Sequence, residues 1–201
     1  MDEKVSEQAL IKRLVKGEQS AYKELIEMIE KPLVNFIYRY VGERSEAEDI
    51  FQDTFVRVLQ TIRGYRPKAK LSTWIFTIAR NLCLDHIKSK KRRRTLSLDT
   101  VPSPYHDNII PFEEILQSQS MSVDSQVQKK ELELEIEGAL QRLPLKYREA
   151  LILRVYLDLP YSEVAQIAQA PVGTVKYRVH SAIRILSRML QEGSKREEAS
   201  L

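Results

Sequence analysis

Residues 160–186, PYSEVAQIAQAPVGTVKYRVHSAIRIL, decide the fold. They read as a helix, a short turn and a second helix. Val164, Ala165, Ile167 and Ala168 give the first helix an inner face, and Val175, Val179, Ala182, Ile183, Leu186 and Leu190 give the second one at the 3.6-residue period. The opposite face of the second helix carries Thr174, Tyr177, Arg178, Ser181, Arg184 and Arg188, with Lys176 and His180 at its edge. A helix that is apolar inside and basic outside suits the major groove. Its N-terminal side chains reach base edges, and its cations reach phosphates or guanine. A bundle helix with a solvated basic face has the same pattern; the coincidence of short turn and charge bias favours groove reading.

Working outward, the rest of the chain also reads as helix. Residues 5–16 close on Gly17, and 20–41 hold two helical runs in which Pro32 marks the second start or a kink. Ser45 and Glu48 are spaced as an S-x-x-E capping box. Behind it Ala47, Ile50, Phe51, Phe55, Val58, Leu59 and Ile62 follow the helical period, up to a stop at Gly64. LSTWIFTI alone could form a strand, but its continuation ARNLCLDHIKSKK predicts one long helix from about 72 to 92. Pro102, Pro104 and Pro111 interrupt a Ser-, Asp- and Gln-rich stretch that reads as a linker. Helical pattern resumes near Lys129, breaks at Leu143-Pro144, and continues through 145–157, 161–168 and 172–191. The predicted fold is all-α: an N-terminal helical domain over 1–94, a flexible acidic linker over 95–128, a helix-turn-helix domain over 129–192 and a charged tail over 193–201.

Composition narrows the function. The chain has 201 residues and is 43% hydrophobic, enough for one large or two small cores. The lone Cys83 excludes a disulfide framework and a multi-thiolate zinc site, and three scattered histidines, His86, His106 and His180, argue against a metal centre. The charged start MDEKVSEQ and the lack of an 18-residue apolar run predict a cytoplasmic protein with no membrane insertion. No nucleophile–base pair, phosphate-cradling glycine loop or paired catalytic carboxylates stand out, so an enzyme is not expected, nor a cofactor.

The net charge of +4 hides a segregation. Residues 63–94 hold eleven Lys/Arg against one acid, Asp85; residues 95–128 hold five acids and no Lys or Arg; residues 172–191 hold four basic residues and no acid. Two polyanion-facing surfaces are joined by a segment of the opposite sign. In the first basic block, Tyr65, Trp74 and Phe76 interleave with Arg66, Lys68, Lys70 and Arg80. Cations for the backbone and π-faces for unstacked bases are what single-stranded nucleic acid requires. The aromatics could equally be core, Phe76 especially. The run 88–94, KSKKRRR, could be a localisation patch; its place at a helix end beside the aromatics favours nucleic acid. On the helix over 45–62, Asp49, Gln52, Asp53 and Val56 share one stripe opposite the apolar one. DNA would repel it, so it meets either a basic protein or water.

AEDIFQDTF, STWIFTIARN with its basic extension and PVGTVKYRVHSAIRIL occur in that order. Together they resemble the extracytoplasmic-function sigma factors, the smallest bacterial sigma factors, over nearly the whole chain. The resemblance implies promoter-specific initiation with core RNA polymerase, contacted at its clamp coiled coil and flap. It implies that Asp49, Gln52, Asp53 and Val56 dock on the clamp coiled coil. It places Tyr65, Arg66, Lys68 and Lys70 in the loop that captures a flipped −10 base, and Trp74, Arg80, Asn81 and Lys88 on the melting helix. Thr174, Lys176, Tyr177, Arg178, Ser181 and Arg184 fall on the −35 reader. It further implies duplex and single-stranded promoter DNA as partners, an anti-sigma factor, and a linker threading the polymerase channels, its acids standing in for RNA.

The sequence departs from the pattern at three positions. Ile75 stands where housekeeping sigma factors have a second tryptophan, which implies a weaker melting wedge. Thr77 stands where relatives often carry arginine. Gln169 replaces the usual turn glycine, so that a non-glycine residue must take φ > 0 or the turn must differ. Two rivals stand beside this reading: a stand-alone duplex-binding regulator, which has no use for the block around Trp74, and an RNA-binding module indifferent to promoter sequence.

Overall fold

The computed structural model describes residues 2–66, 69–96 and 123–198, with side chains over 7–66, 69–93 and 132–192. The predicted linker and Lys68 thus lie largely or wholly outside the described residues. The described chain contains eight α-helices and no strand: α1 (Asp2–Lys16), α2 (Gln19–Val41), α3 (Arg44–Thr61), α4 (Leu71–Leu96), α5 (Val123–Arg142), α6 (Leu145–Leu151), α7 (Tyr161–Ile167) and α8 (Val172–Glu198). The all-α class is as expected. A 3-10 turn, Ile62–Gly64, follows α3, and a π-helical turn, Ile152–Tyr156, follows α6.

α2 is one helix, with Pro32 inside it. An interior proline forfeits a hydrogen bond and costs about 3 kcal/mol. Leu25, Ile29, Leu33, Phe36, Ile37 and Tyr40 are all buried along one face. Burying each such side chain contributes roughly 1.5–3 kcal/mol, so together they outweigh the proline. The bond lost is to the carbonyl of Met28, a residue on the exposed side. At Gly42 the backbone turns left-handed, with φ 89°, and its N–H donates to Tyr38 O at 2.7 Å. A Cβ there would also meet Gln141 Oε1 at 2.8 Å, so glycine serves both the cap and a close approach from α5.

The predicted capping box does not form. Glu43 is the N-cap of α3; the Ser45 hydroxyl donates to Glu43 Oε1 at 3.0 Å, and Glu48 pairs with Arg44 one turn away. The helix starts two residues earlier than the box required, so Ser45 falls inside the first turn. Two residues expected on inner faces are exposed, Leu59 and Ile183. In α8 the buried seam runs Val175, Val179, Ala182. Ile183 is one residue, hence about 100°, off that seam. α5 begins at Val123, ahead of the predicted Lys129, in a stretch without Pro or Gly from 112 to 137.

Helices α1–α4 pack as one bundle and α5–α8 as another, and the two share a continuous apolar core. The join runs where α4 meets α7 and where α2 meets α5 and α6. Phe36 is central on the N-terminal side, tilted against Tyr40 and edge-on to Phe76 at 5.4 Å. Phe76 is therefore core, and Ile75 beside it is fully buried.

Gln169 does take the left-handed conformation, φ 50°, in the turn between α7 and α8. Asp158 does the same at φ 47°, unheralded in the sequence. A left-handed non-glycine residue costs about 1–2 kcal/mol, and glycine gives part of that back as unfolded-chain entropy. Gln169→Gly is therefore expected to stabilise the chain by up to about 1 kcal/mol, read as a higher urea midpoint at unchanged slope.

Candidate nucleic-acid interface

The start of α4 carries an aromatic pair. Trp74 is half-buried, its ring 4.8 Å from that of Tyr65 and tilted by 46°. The Tyr65 hydroxyl donates to Ala69 O at 2.6 Å, which closes the loop over 65–70 and holds the ring against Trp74. Leu71 N donates to Glu7 of α1, tying the same loop to the bundle. Arg66 is exposed at the rim. Further along, Asn81 and Lys88 are exposed, Lys88 lying 4.0 Å from Asp85. Arg92 and Arg93 extend the exposed basic end. Thr77 donates its hydroxyl to Thr73 O at 2.8 Å.

Lys70 and Arg80 are placed differently. Lys70 Nζ lies 2.9 Å from Glu163 Oε1 on α7, and Thr73 Oγ1 donates to Glu163 Oε2 at 3.0 Å. Arg80 Nε lies 2.6 Å from Glu149 Oε1 on α6. The Tyr40 hydroxyl donates to the same carboxylate oxygen at 3.3 Å. Burial pushes the Glu149 carboxyl above its usual range, and hydrogen bonding from Arg80 pulls it only part of the way back. The Tyr40 hydroxyl and the Cys83 thiol are both pushed up by burial, so Cys83 is a poor nucleophile.

On α8, Lys176, Tyr177 and Arg184 are exposed, and Thr174 and Arg178 half-buried. Lys176 Nζ stands 5.7 Å from the Tyr161 ring centroid. Ser181 is a correction: it is buried, only 5% exposed, because α8 packs against α5, α6 and α7 and its covered face is wider than the Val175–Val179–Ala182 seam. It cannot reach a base from there.

On α3, Asp49, Gln52, Asp53 and Val56 are all exposed on one stripe, as the spacing required. Leu59 continues that stripe at i+3 from Val56. The stripe is therefore acidic at one end and apolar at the other. The periodic count had put Leu59 with the core, and nothing in the sequence separates the two placements. Glu149 and Glu163 were missed as well. The available signal was Glu149 itself, a carboxylate directly before the run ALILRV, which demands a cation when buried.

The chain is thus a helical nucleic-acid-binding factor, with a helix-turn-helix unit and a separate aromatic and basic helix. The comparisons narrow the class. A model described as Sigma-70 region 2 matches residues 25–93, and one described as Sigma-70, region 4 matches residues 133–186. The ECF RNA polymerase sigma factor SigW of Bacillus subtilis is 31% identical over 90% of this chain and 95% of its own length. The RNA polymerase sigma-H factor of Pseudomonas aeruginosa is 27% identical over 92% and 94%. Two solved structures share the fold. One is the sigma factor RpoE of Bartonella quintana in complex with the anti-sigma factor NepR, with TM-score 0.67, 23% identity, and 85% and 96% of the two chains covered. The other is CnrH in complex with the cytosolic domain of CnrY, with TM-score 0.65, 18% identity, and 92% and 97% covered. The chain belongs to the ECF RNA polymerase sigma factors, and its function is promoter-directed transcription initiation. Among the described residues, no helix is long and apolar enough to cross a membrane.

Proposed function

We propose that this sigma factor divides its work among three surfaces of two domains, 1–94 and 129–192, joined by 95–128 and followed by a tail, 193–201. The exposed stripe of Asp49, Gln52, Asp53, Val56 and Leu59 docks on the clamp coiled coil of core polymerase. Tyr65, Arg66, Lys68, Lys70, Trp74, Arg80, Asn81 and Lys88 hold the melted −10 strand. Thr174, Lys176, Tyr177, Arg178 and Arg184 read the −35 duplex. The factor is not an enzyme; it chooses the start site, and polymerase supplies the chemistry. Cytoplasmic residence, a flap contact and an anti-sigma factor as a further partner belong to the same reading. The observation that carries it is the Tyr65–Trp74 pair beside exposed Arg66, because a protein that binds only duplex DNA has no use for paired aromatic faces among cations. Run-off transcription with purified core on a genomic library tests it. Discrete start sites that share two spaced elements are expected, and factor-independent transcripts alone would refute it.

Within α8, Arg178 and Arg188 are expected to behave differently. Arg178→Ala should remove base discrimination worth about 1–3 kcal/mol at one −35 position. Arg188→Ala, nearer the C-terminal end, should weaken duplex binding evenly across sequences and flatten its salt dependence by about one unit of slope. Competition binding with single-base operator variants at two salt concentrations separates the two.

A further inference from the structure

We infer that Glu7 of α1 is a positioning residue for the strand-holding loop. Its carboxylate caps the N-terminus of α4 from a separate helix, and so sets the Tyr65–Trp74 pair in the orientation that unpaired bases meet. This rests on the reading that the loop over 65–70 and α4 hold the −10 strand, a reading in which α1 has no part.

The sequence leaves α4 without a cap of its own. An N-cap needs a side-chain oxygen from Ser, Thr, Asp or Asn, and Pro67, Lys68, Ala69 and Lys70 supply none. Lys70 precedes the first helical residue, a place where a positive charge is unfavourable against the helix dipole. Leu71, that first residue, is only 1% exposed, so water has little access to its N–H. A buried backbone donor must find a partner within the protein. Glu7 is that partner: Leu71 N donates to its Oε1 from 64 residues further along the chain. Capping from α1 leaves position 70 to a cation, which a serine or aspartate cap there would replace.

The same carboxylate acts on the aromatic pair. Burial pushes the Tyr65 hydroxyl above its ordinary value, and the charge of Glu7 pushes it the same way. Leu10 and Leu14 anchor α1 in the core, and α1 packs on the 3-10 turn Ile62–Gly64. Helix α1 thus meets the chain at both ends of the loop, just before Tyr65 and at Leu71. Between these points the Tyr65 N–H donates to Ile62 O at 3.1 Å and its hydroxyl to Ala69 O at 2.6 Å. Trp74 closes the first turn of α4, its N–H donating to Lys70 O at 3.1 Å. Without Glu7 that turn loses its cap and frays, and the indole moves with it. Rings held in place beforehand spare the strand an ordering cost on binding.

The test begins with the full-length chain. Trp74 is the only tryptophan, so its emission reports on the aromatic pair directly. Glu7→Ala removes the acceptor, and Glu7→Gln keeps an acceptor without the charge. Tyr22→Phe removes the bond from the Tyr22 hydroxyl to Leu14 O, which holds the other end of α1. Alanine is the strongest helix former, so α1 itself survives the first change. Glu7→Ala should move the emission to longer wavelength and raise its quenching by acrylamide, while Glu7→Gln and Tyr22→Phe stay near the parent. Glu7→Asp, too short to reach Leu71, should behave like alanine and stands in if the alanine variant does not fold by circular dichroism. Holoenzyme is then made with each variant. Its affinity is read by anisotropy for a fluorescein-labelled non-template 12-mer, spanning the −10 element of a start site from the run-off experiment, and for a scrambled 12-mer. Glu7→Ala should lose about tenfold of the preference for the element, and Glu7→Gln no more than about twofold, with retention on core unchanged. Parent-like emission or full preference in Glu7→Ala overturns the positioning role. So does an equal shift in Tyr22→Phe, since loosening α1 anywhere would then suffice. A parent holoenzyme without any preference fails the strand-holding reading instead, and the inference falls with it.

Discussion

Asp49→Lys combined with Asp53→Lys is expected to abolish co-purification with core polymerase while leaving the helical circular dichroism signal and the thermal midpoint nearly unchanged. Both side chains are exposed on α3, so the substitutions meet no packed neighbour. Surface changes of this kind usually alter stability by less than about 0.5 kcal/mol. The effect on docking is larger, because the pair reverses four units of charge at a site read as facing a basic coiled coil. Like charges brought together across an interface cost several kcal/mol, or several hundredfold in affinity. Val56 and Leu59 sharpen the test. They place an apolar anchor next to the acids, so Leu59→Ser should weaken the association with little change in its salt dependence, whereas the aspartate reversal should be partly relieved by high salt. Undiminished core binding by the double variant would remove the assignment of this face.

How far the sequence carried the fold follows from what kind of information each element needed. Local period and turn chemistry sufficed for α4, α7 and α8, whose apolar residues repeat at helical spacing, whereas α2 runs on through Pro32, where the proline alone suggests a second start or a kink. Local signals misled where a single residue was asked to decide. Ser45 and Glu48 match the capping pattern, yet the chain enters α3 at Glu43, and the serine finds its partner two residues back. Leu59, Ile183 and Ser181 lie near the edge of a helical face, where one step of 100° separates core from solvent, so composition could not assign them. The α3 stripe was legible because four residues at i, i+3, i+4 and i+7 vote together. What periodicity could not supply was the relation between the two bundles. Arg39–Glu137, Arg80–Glu149 and Lys70–Glu163 join residues more than 65 positions apart, and no local pattern pairs them.

Those pairs also fix the character of the join. Buried ion pairs hold less firmly than well-packed apolar side chains of the same volume, because both charges must be dehydrated. Burial raises the carboxyls of Glu149 and Glu137 even with Arg80 and Arg39 beside them. A carboxyl held above its usual value binds its proton more tightly in the packed arrangement than when exposed. Its contribution is therefore fully present below the ordinary carboxylate range and is lost as pH rises through the raised value. The join is closed by these ion pairs and by an apolar seam.

Trp74→Ala is expected to slow open-complex formation by roughly one to two orders of magnitude while leaving core association intact. Base–aromatic stacking contributes about 1–3 kcal/mol per base, and Trp74 is the only tryptophan in the chain, with Ile75 buried where a second wedge would be needed. The loss should thus not be covered by a neighbour. The structure adds a complication that the experiment must separate. Trp74 is half-buried against Tyr65, so alanine also removes packing at the loop over 65–70. Two measurements distinguish stacking from scaffolding. On a promoter already mismatched across the −10 region, the opening cost is absent, and Trp74→Ala should recover to near the parent rate if its ring acts on unpaired bases. Trp74→Phe keeps an aromatic face in the same place and should retain most of the opening rate on duplex promoters. A variant that stays slow on the mismatched template and loses several degrees of thermal midpoint would show that Trp74 acts by holding the loop, with Tyr65 and its bond to Ala69 left as the groups that meet the strand.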